Sequence, residues 1–201
     1  MIAVLMFVLA YVLGSLCSAV IVCRTFSLPD PRLSGSSNPG TTNVLRIAGK
    51  KYAVIVLIAD MLKGFLPVLI AKQLSVDASG LGWIALAAVL GHIYPVFFRF
   101  QGGKGVATFF GALFGLSLTI GALTIGTWFV VALIFGYSSL AAIAAISGAP
   151  FYSIVLLKNV GVFPPIMLAS MLIFYKHHEN IRRLFDRKEE KIQWRRKRKS
   201  D

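Results

Sequence analysis

Apolar residues in this chain run in long unbroken blocks, and the polar residues are gathered between them. No Asp, Glu, Lys or Arg occurs in residues 1–23, 78–98, 105–157 or 159–175. A helical span takes about 17–25 apolar residues, so the blocks predict spans near 2–23, 53–72, 81–98 and 162–176. The 53-residue block 105–157 is too long for one crossing, since a helix of that length would reach about 80 Å. It predicts three crossings, with breaks near 115–121 ("GLSLTIG") and 136–139 ("GYSS"). The expected fold is all-α, a polytopic membrane protein of seven transmembrane helices.

Composition and charge add orientation. Of 201 residues, 57% are hydrophobic and 14% charged, where a soluble domain has about a quarter charged. The N-terminal block lacks the cationic start of a signal peptide and reads as a retained span. Cys17 and Cys23 within it read as small buried apolar residues rather than a disulfide. Eighteen of the 21 Lys and Arg lie in three segments, 24–52, 99–104 and the tail from Lys176. The positive-inside rule assigns these to the cytoplasm. The N-terminus is then outside and the C-terminus cytoplasmic, and only an odd number of crossings within 105–157 joins the two faces correctly. A single membrane domain is expected over 1–184, followed by a basic cytoplasmic tail over 185–201.

This topology collects four polar islands on one face: 24–52, 99–106, 137–139 and 176–184. In "QGGKGVATFFG", glycines flank Lys104 just before an apolar helix. Backbone N–H groups at a helix start attract anions, Lys104 adds a cation, and Thr108 adds a hydroxyl. The loop is not a Walker A motif, because Gly105 follows the lysine. The alternative is a glycine turn with a snorkelling lysine. "SGSSNPGTTNVLR" is dense in hydrogen-bonding groups, and its Arg46 offers a planar fork suited to phosphate. In "KHHENIRRL", His177 and Asn180 share a helix face. Adjacent histidines chelate one ion poorly, so no metal is expected. Asp60 and Lys63, inside a span, read as a structural ion pair, and His92 as a hydrogen bond between helices. The basic tail suits anionic lipid better than nucleic acid. The rival class, a small organic-phosphate permease, would place its polar site near the bilayer midplane rather than at one face.

With "SGSSNPGTTNVLR", "GHIYPVFFRFQGGKGVAT", "GYSSL" and "HHENIRRL" in this order, the chain resembles the bacterial acyl-phosphate:glycerol-3-phosphate acyltransferases, the PlsY family, over nearly its whole length. Thr41 stands where that family usually has alanine. The resemblance implies a seven-helix protein of the bacterial inner membrane with its active site at the cytoplasmic face. It implies transfer of a fatty acyl group from acyl phosphate to the sn-1 hydroxyl of glycerol 3-phosphate, giving lysophosphatidic acid and phosphate. The expected catalytic residues are Ser36, Lys104, His177 and Asn180. The expected substrate-binding residues are Thr41, Asn43, Arg46, Gly102, Gly103, Gly105, Thr108, Ser138 and Ser139, and Glu179 falls within the last motif. No cofactor, metal or covalent acyl-enzyme is expected. The expected partners are the two substrates, membrane lipid and, functionally, an enzyme that forms acyl phosphate. The proton of the attacking hydroxyl goes either to His177 or to a substrate phosphate oxygen; the sequence leaves both open.

Overall fold

The computed structural model describes residues 1–192; residues 193–201, the end of the basic tail, lie outside the described residues. All regular structure among the described residues is helical. Ten α-helices follow one another: α1 (Ile2–Gly14), α2 (Ser18–Thr25), α3 (Thr41–Ala48), α4 (Lys50–Gln73), α5 (Ala78–Ile93), α6 (Val106–Leu116), α7 (Leu118–Phe135), α8 (Ser138–Leu157), α9 (Phe163–Lys176) and α10 (His178–Phe185). Four stretches are long and apolar enough to cross a bilayer: α4, α5 with the turn after it, α7 and α8. Two bent pairs, α1–α2 at 41° and the α9 segment with α10 at 56°, raise that to six if each is one span. The eleven residues of α6 extend only roughly 16 Å.

Two expectations need correction. The first block is not one straight helix. It breaks at Ser15–Cys17, where Ser15 Oγ donates to Tyr11 O at 2.8 Å. Lys63 Nζ donates to Leu16 O at 2.8 Å, so a carbonyl freed in a lipid environment finds a partner on another helix. The second correction is α3, which lies inside the island 24–52 that reads as loop. Breaks inside 105–157 fall at Ser117 and at Gly136–Tyr137, within the expected windows.

Helix α5 is the centre of the bundle. Ile84, Ala85, Ala87, Ala88 and Val89 on it are fully buried, while Phe129, Val130, Leu133 and Ile134 of α7 face outward as lipid contacts would. α4 and α6 pack backbone to backbone: a Cβ at Gly64 would collide with the Thr108 carbonyl, and one at Gly111 with the Met61 carbonyl. The Asp60–Lys63 ion pair forms at 2.8 Å, both side chains buried. His92 Nδ1 lies 3.0 Å from Thr108 Oγ1 and 3.6 Å from Asp60 Oδ1, joining α5 to α6 as expected.

Candidate active site

The glycine–lysine loop is built on the end of α5. Pro95 turns the chain, Arg99 and Phe100 take left-handed backbone angles, and Gly103 N–H donates back to His92 O at 3.2 Å. Gly105 caps α6 at φ +91°, a conformation that disfavours any side chain. Lys104 lies between these anchors, half-buried, and its Nζ donates to Asn180 Oδ1. Burial, then the charge of Arg183, pushes its pKa down to about 8.

Asn180 sits on the buried face of α10 with His177 at its start, while His178 is exposed. His177 Nδ1 lies 2.7 Å from Ile173 O; a carbonyl only accepts, so Nδ1 carries the hydrogen and Nε2 is bare. Burial pushes the His177 pKa down to about 4, against the hydrogen bond to Ile173 and with the nearby Lys104 charge. The ring is therefore neutral at neutral pH and weakly basic.

Nothing in the sequence singles out Glu189, yet it is the hub of the cluster. Ser139 Oγ and Asn180 Nδ2 donate to its Oε1 at 2.7 and 2.6 Å, and Arg183 Nε donates to its Oε2 at 2.7 Å. Burial alone would raise its pKa; these three donors outweigh burial and hold it below the ordinary carboxylate range. The neighbouring Glu190 accepts from Arg46 Nη2 at 2.8 Å, with both side chains solvent-accessible (41% for Arg46, 70% for Glu190). Residues 186–192 thus form a strap that returns to the bundle. Ile192 N–H bonds Gly136 O at 2.8 Å, and Lys191 lies 5.5 Å from the Tyr137 ring. In the sequence these two carboxylates are submerged in a tail with eleven cations. The only available signal was the acidic pair itself, "EE" between lysines.

The remaining residues divide. The first island meets the glycine–lysine loop, with Pro39 O 3.1 Å from where a Cβ at Gly103 would lie. Ser36 is exposed, and Thr41 has a buried hydroxyl without a partner. Asn43, expected to bind substrate, is a brace of its own loop. Its Nδ2 donates to Pro31 O and Ser34 O at 2.8 and 2.9 Å, and its Oδ1 accepts from Ser36 N at 2.9 Å. Ser138, at the start of α8, is half-buried and Ser139 is bonded to Glu189. Gly102 is half-buried in the loop beside Gly103. Thr108, expected to reach the anion, points into the bundle: it is fully buried and paired with His92. Glu179 is on the exposed side, 3.8 Å from Arg183. Among the described residues no cluster of three or more His, Cys, Asp or Glu could hold a metal.

Helices and cluster together define an integral membrane protein with an anion-holding site at one face. A family model for glycerol-3-phosphate acyltransferase matches residues 4–187. A glycerol-3-phosphate acyltransferase of Shigella flexneri is 54% identical over 198 residues, 98% of this chain and 96% of that protein. One from Legionella pneumophila (strain Corby) is 53% identical over 191 residues, 95% of this chain and 69% of its own. The fold is similar to a crystal structure of PlsY (YgiH), an integral membrane glycerol 3-phosphate acyltransferase, in its glycerol 3-phosphate form. The TM-score is 0.89 at 41% identity, covering 95% of this chain and 96% of that one. The lysophosphatidic acid form matches with TM-score 0.87 and 40% identity. The chain belongs to the glycerol-3-phosphate acyltransferase family of integral membrane enzymes.

Proposed function

We propose that the protein moves a fatty acyl group from acyl phosphate to the sn-1 hydroxyl of glycerol 3-phosphate, at the cytoplasmic face of the inner membrane. The observation that carries this reading is the set of donors gathered around the adjacent carboxylates of Glu189 and Glu190. Ser139, Asn180 and Arg183 hold Glu189, Lys104 holds Asn180, and Arg46 holds the adjacent Glu190. Groups that hold carboxylates hold phosphates by the same charge-assisted hydrogen bonds. That a relative was crystallised in glycerol 3-phosphate and lysophosphatidic acid forms supports the same substrate and product here.

Acyl phosphate is already activated, so positioning and charge neutralisation supply most of the catalysis. The glycerol oxygen bonds the acyl carbon, the bond from that carbon to the phosphate oxygen breaks, and phosphate leaves with the electron pair. Lys104, with Ser36, His177 and Asn180, steadies the reacting groups. Arg46, Thr41, Ser138, Ser139 and the backbone of Gly102, Gly103 and Gly105 bind the phosphates, with Asn43 shaping their loop. The low basicity of His177 favours a substrate phosphate oxygen as proton acceptor. The α1–α2 pair, α4, α5, α6, α7, α8 and α9 make seven crossings, with the N-terminus outside and the C-terminus inside. Residues 1–184 form the membrane domain, and the cations of the basic tail favour a surface of anionic lipid. The lability of acyl phosphate makes coupling to the enzyme that forms it advantageous.

The test is a donor comparison on the purified protein. Acyl phosphate should give lysophosphatidic acid and free phosphate with glycerol 3-phosphate, whereas acyl-CoA and acyl carrier protein should give less than about a hundredth of that rate. Equal rates from a thioester donor would refute the assignment. For topology, a reporter fused to the C-terminus should be active only in the cytoplasm; activity outside would reverse the orientation.

A further inference from the structure

We infer that His92 and Thr108, buried beneath the glycine–lysine loop, are positioning residues that fix Lys104 for phosphate binding; this rests on the phosphate-binding role proposed for Lys104. Polar side chains in a membrane interior are costly unless they serve a purpose. Asp60 and Lys63 neutralise each other, and Lys63 also holds the α1–α2 break. Neither task needs His92 or Thr108. What these two share is the segment they bracket.

His92 holds the residue before Lys104 in two ways. Its carbonyl accepts the Gly103 N–H at 3.2 Å, and its ring fills the space beside Gly103, so that a Cβ there would collide with Nε2. The opposite edge of the ring, through Nδ1, is 3.0 Å from Thr108 Oγ1 in the first turn of α6, four residues after Lys104. One imidazole therefore spans from Gly103 to Thr108 with Lys104 between them. Asp60 Oδ1, 3.6 Å from Nδ1, faces the same edge of the ring. The loop's glycines leave it few side-chain contacts of its own, so its position depends on this support. A misplacement of about 1 Å at a charge-neutralising group costs up to a hundredfold in rate.

The experiment compares glycerol 3-phosphate kinetics of the full-length enzyme in membranes for wild type, Thr108→Val, Thr108→Ser, Thr124→Val and Lys104→Ala. Thr108→Val keeps the volume and removes the hydroxyl. It should raise KM about tenfold with kcat within about threefold, and Thr108→Ser should restore KM to within about twofold. Thr124, equally buried on α7, gives its hydroxyl to Ile120 O at 2.8 Å within its own helix. Thr124→Val should leave KM unchanged whatever it does to thermal stability. His92→Gln should raise KM as Thr108→Val does, and serves if the valine variant does not accumulate. Unchanged KM in an accumulating Thr108→Val or His92→Gln variant, with Lys104→Ala inactive, overturns the positioning role alone. An active Lys104→Ala overturns the phosphate-binding reading beneath it.

Discussion

The first polar island and the C-terminal strap reach the same face of the bundle, but they are held there by different means. The island is braced from within. Asn43 ties together Pro31, Ser34 and Ser36, all within twelve residues of itself, and Asp30 pairs with Arg32 at 2.7 Å. The strap has little internal support at its acidic pair. Glu189 is held by Ser139 from α8 and by Asn180 and Arg183 from α10, and Ile192 by Gly136 at the end of α7. A locally braced element keeps its shape when the rest of the site changes. An element held by partners outside itself responds to each of them, and here two of those partners, Ser139 and Asn180, are groups proposed to meet substrate.

Lys104 lies where the two arrangements join, so its loss should have the largest effect. Lys104→Ala is expected to lower kcat/KM by about 30- to 1000-fold, from about 2–4 kcal/mol for a charge-assisted contact in a desolvated site. The protein should still insert and purify normally. An efficiency within threefold of wild type would show the loop to be a connector. Next comes pH. Lys104 must be protonated to hold phosphate, and its pKa in the free enzyme lies at about 8. As pH rises through that value the cation is lost, so kcat/KM should fall about tenfold per unit above pH 8. A plateau extending to pH 10 would contradict this.

Two substitutions then set the regions against each other. Glu189→Gln keeps the shape of the hub and removes its charge, weakening bonds to Arg183 and Asn180. We expect limited proteolysis to cut faster at the strap, since a hydrogen bond to a charged group contributes about 1.5–3 kcal/mol. Asn43→Ala leaves the Pro31 carbonyl and the Ser36 N–H unpaired and removes one of two donors on the Ser34 carbonyl. It should lower thermal stability while the strap remains protected. If the two variants open the same segment, the distinction between internal and external bracing is wrong. Glu189 also makes strap docking acid-sensitive. Its pKa is lowered by docking, so the stabilisation is present above the unfolded value and is lost as pH falls through the folded one. The smallest effect belongs to Glu190. It competes for Arg46 in an accessible ion pair of at most about 1 kcal/mol. Glu190→Gln should therefore lower KM for glycerol 3-phosphate about two- to threefold, and a raised KM would count against competition.

The all-helical architecture and the breaks at Ser117 and Gly136 were legible because lipid imposes long apolar blocks with few charges; the number of spans was not, since four helices, or six counting the bent pairs, are long and apolar enough to cross and α6 has only eleven residues. The glycine–lysine loop and the shared face of His177 and Asn180 were legible from local spacing. What escaped depends on partners far along the chain. The α1–α2 break is supported by Lys63, 47 residues away. Helix α3 is hidden by turn-forming residues before it. Thr108 carries a hydroxyl in the right motif, but helix phase turns it toward His92. Glu189 is drawn in by Ser139, 50 residues earlier, which no spacing rule connects to it.

The close packing of α6 on α4 sets a depth. Thr108 meets α4 at Gly64, fourteen residues past Lys50, or about 21 Å along that helix. The first turn of α6 therefore packs against the middle of α4 rather than its start, and the cation loop is carried in with it. Two reactants that prefer different solvents have to meet somewhere. On the proposed function, glycerol 3-phosphate would come in to meet the fatty carbonyl, and the oily reactant would be spared a climb into water. A site filled by both reactants would also leave little room for a competing water molecule, and the measurable sign would be slow phosphate release when acyl phosphate is supplied alone.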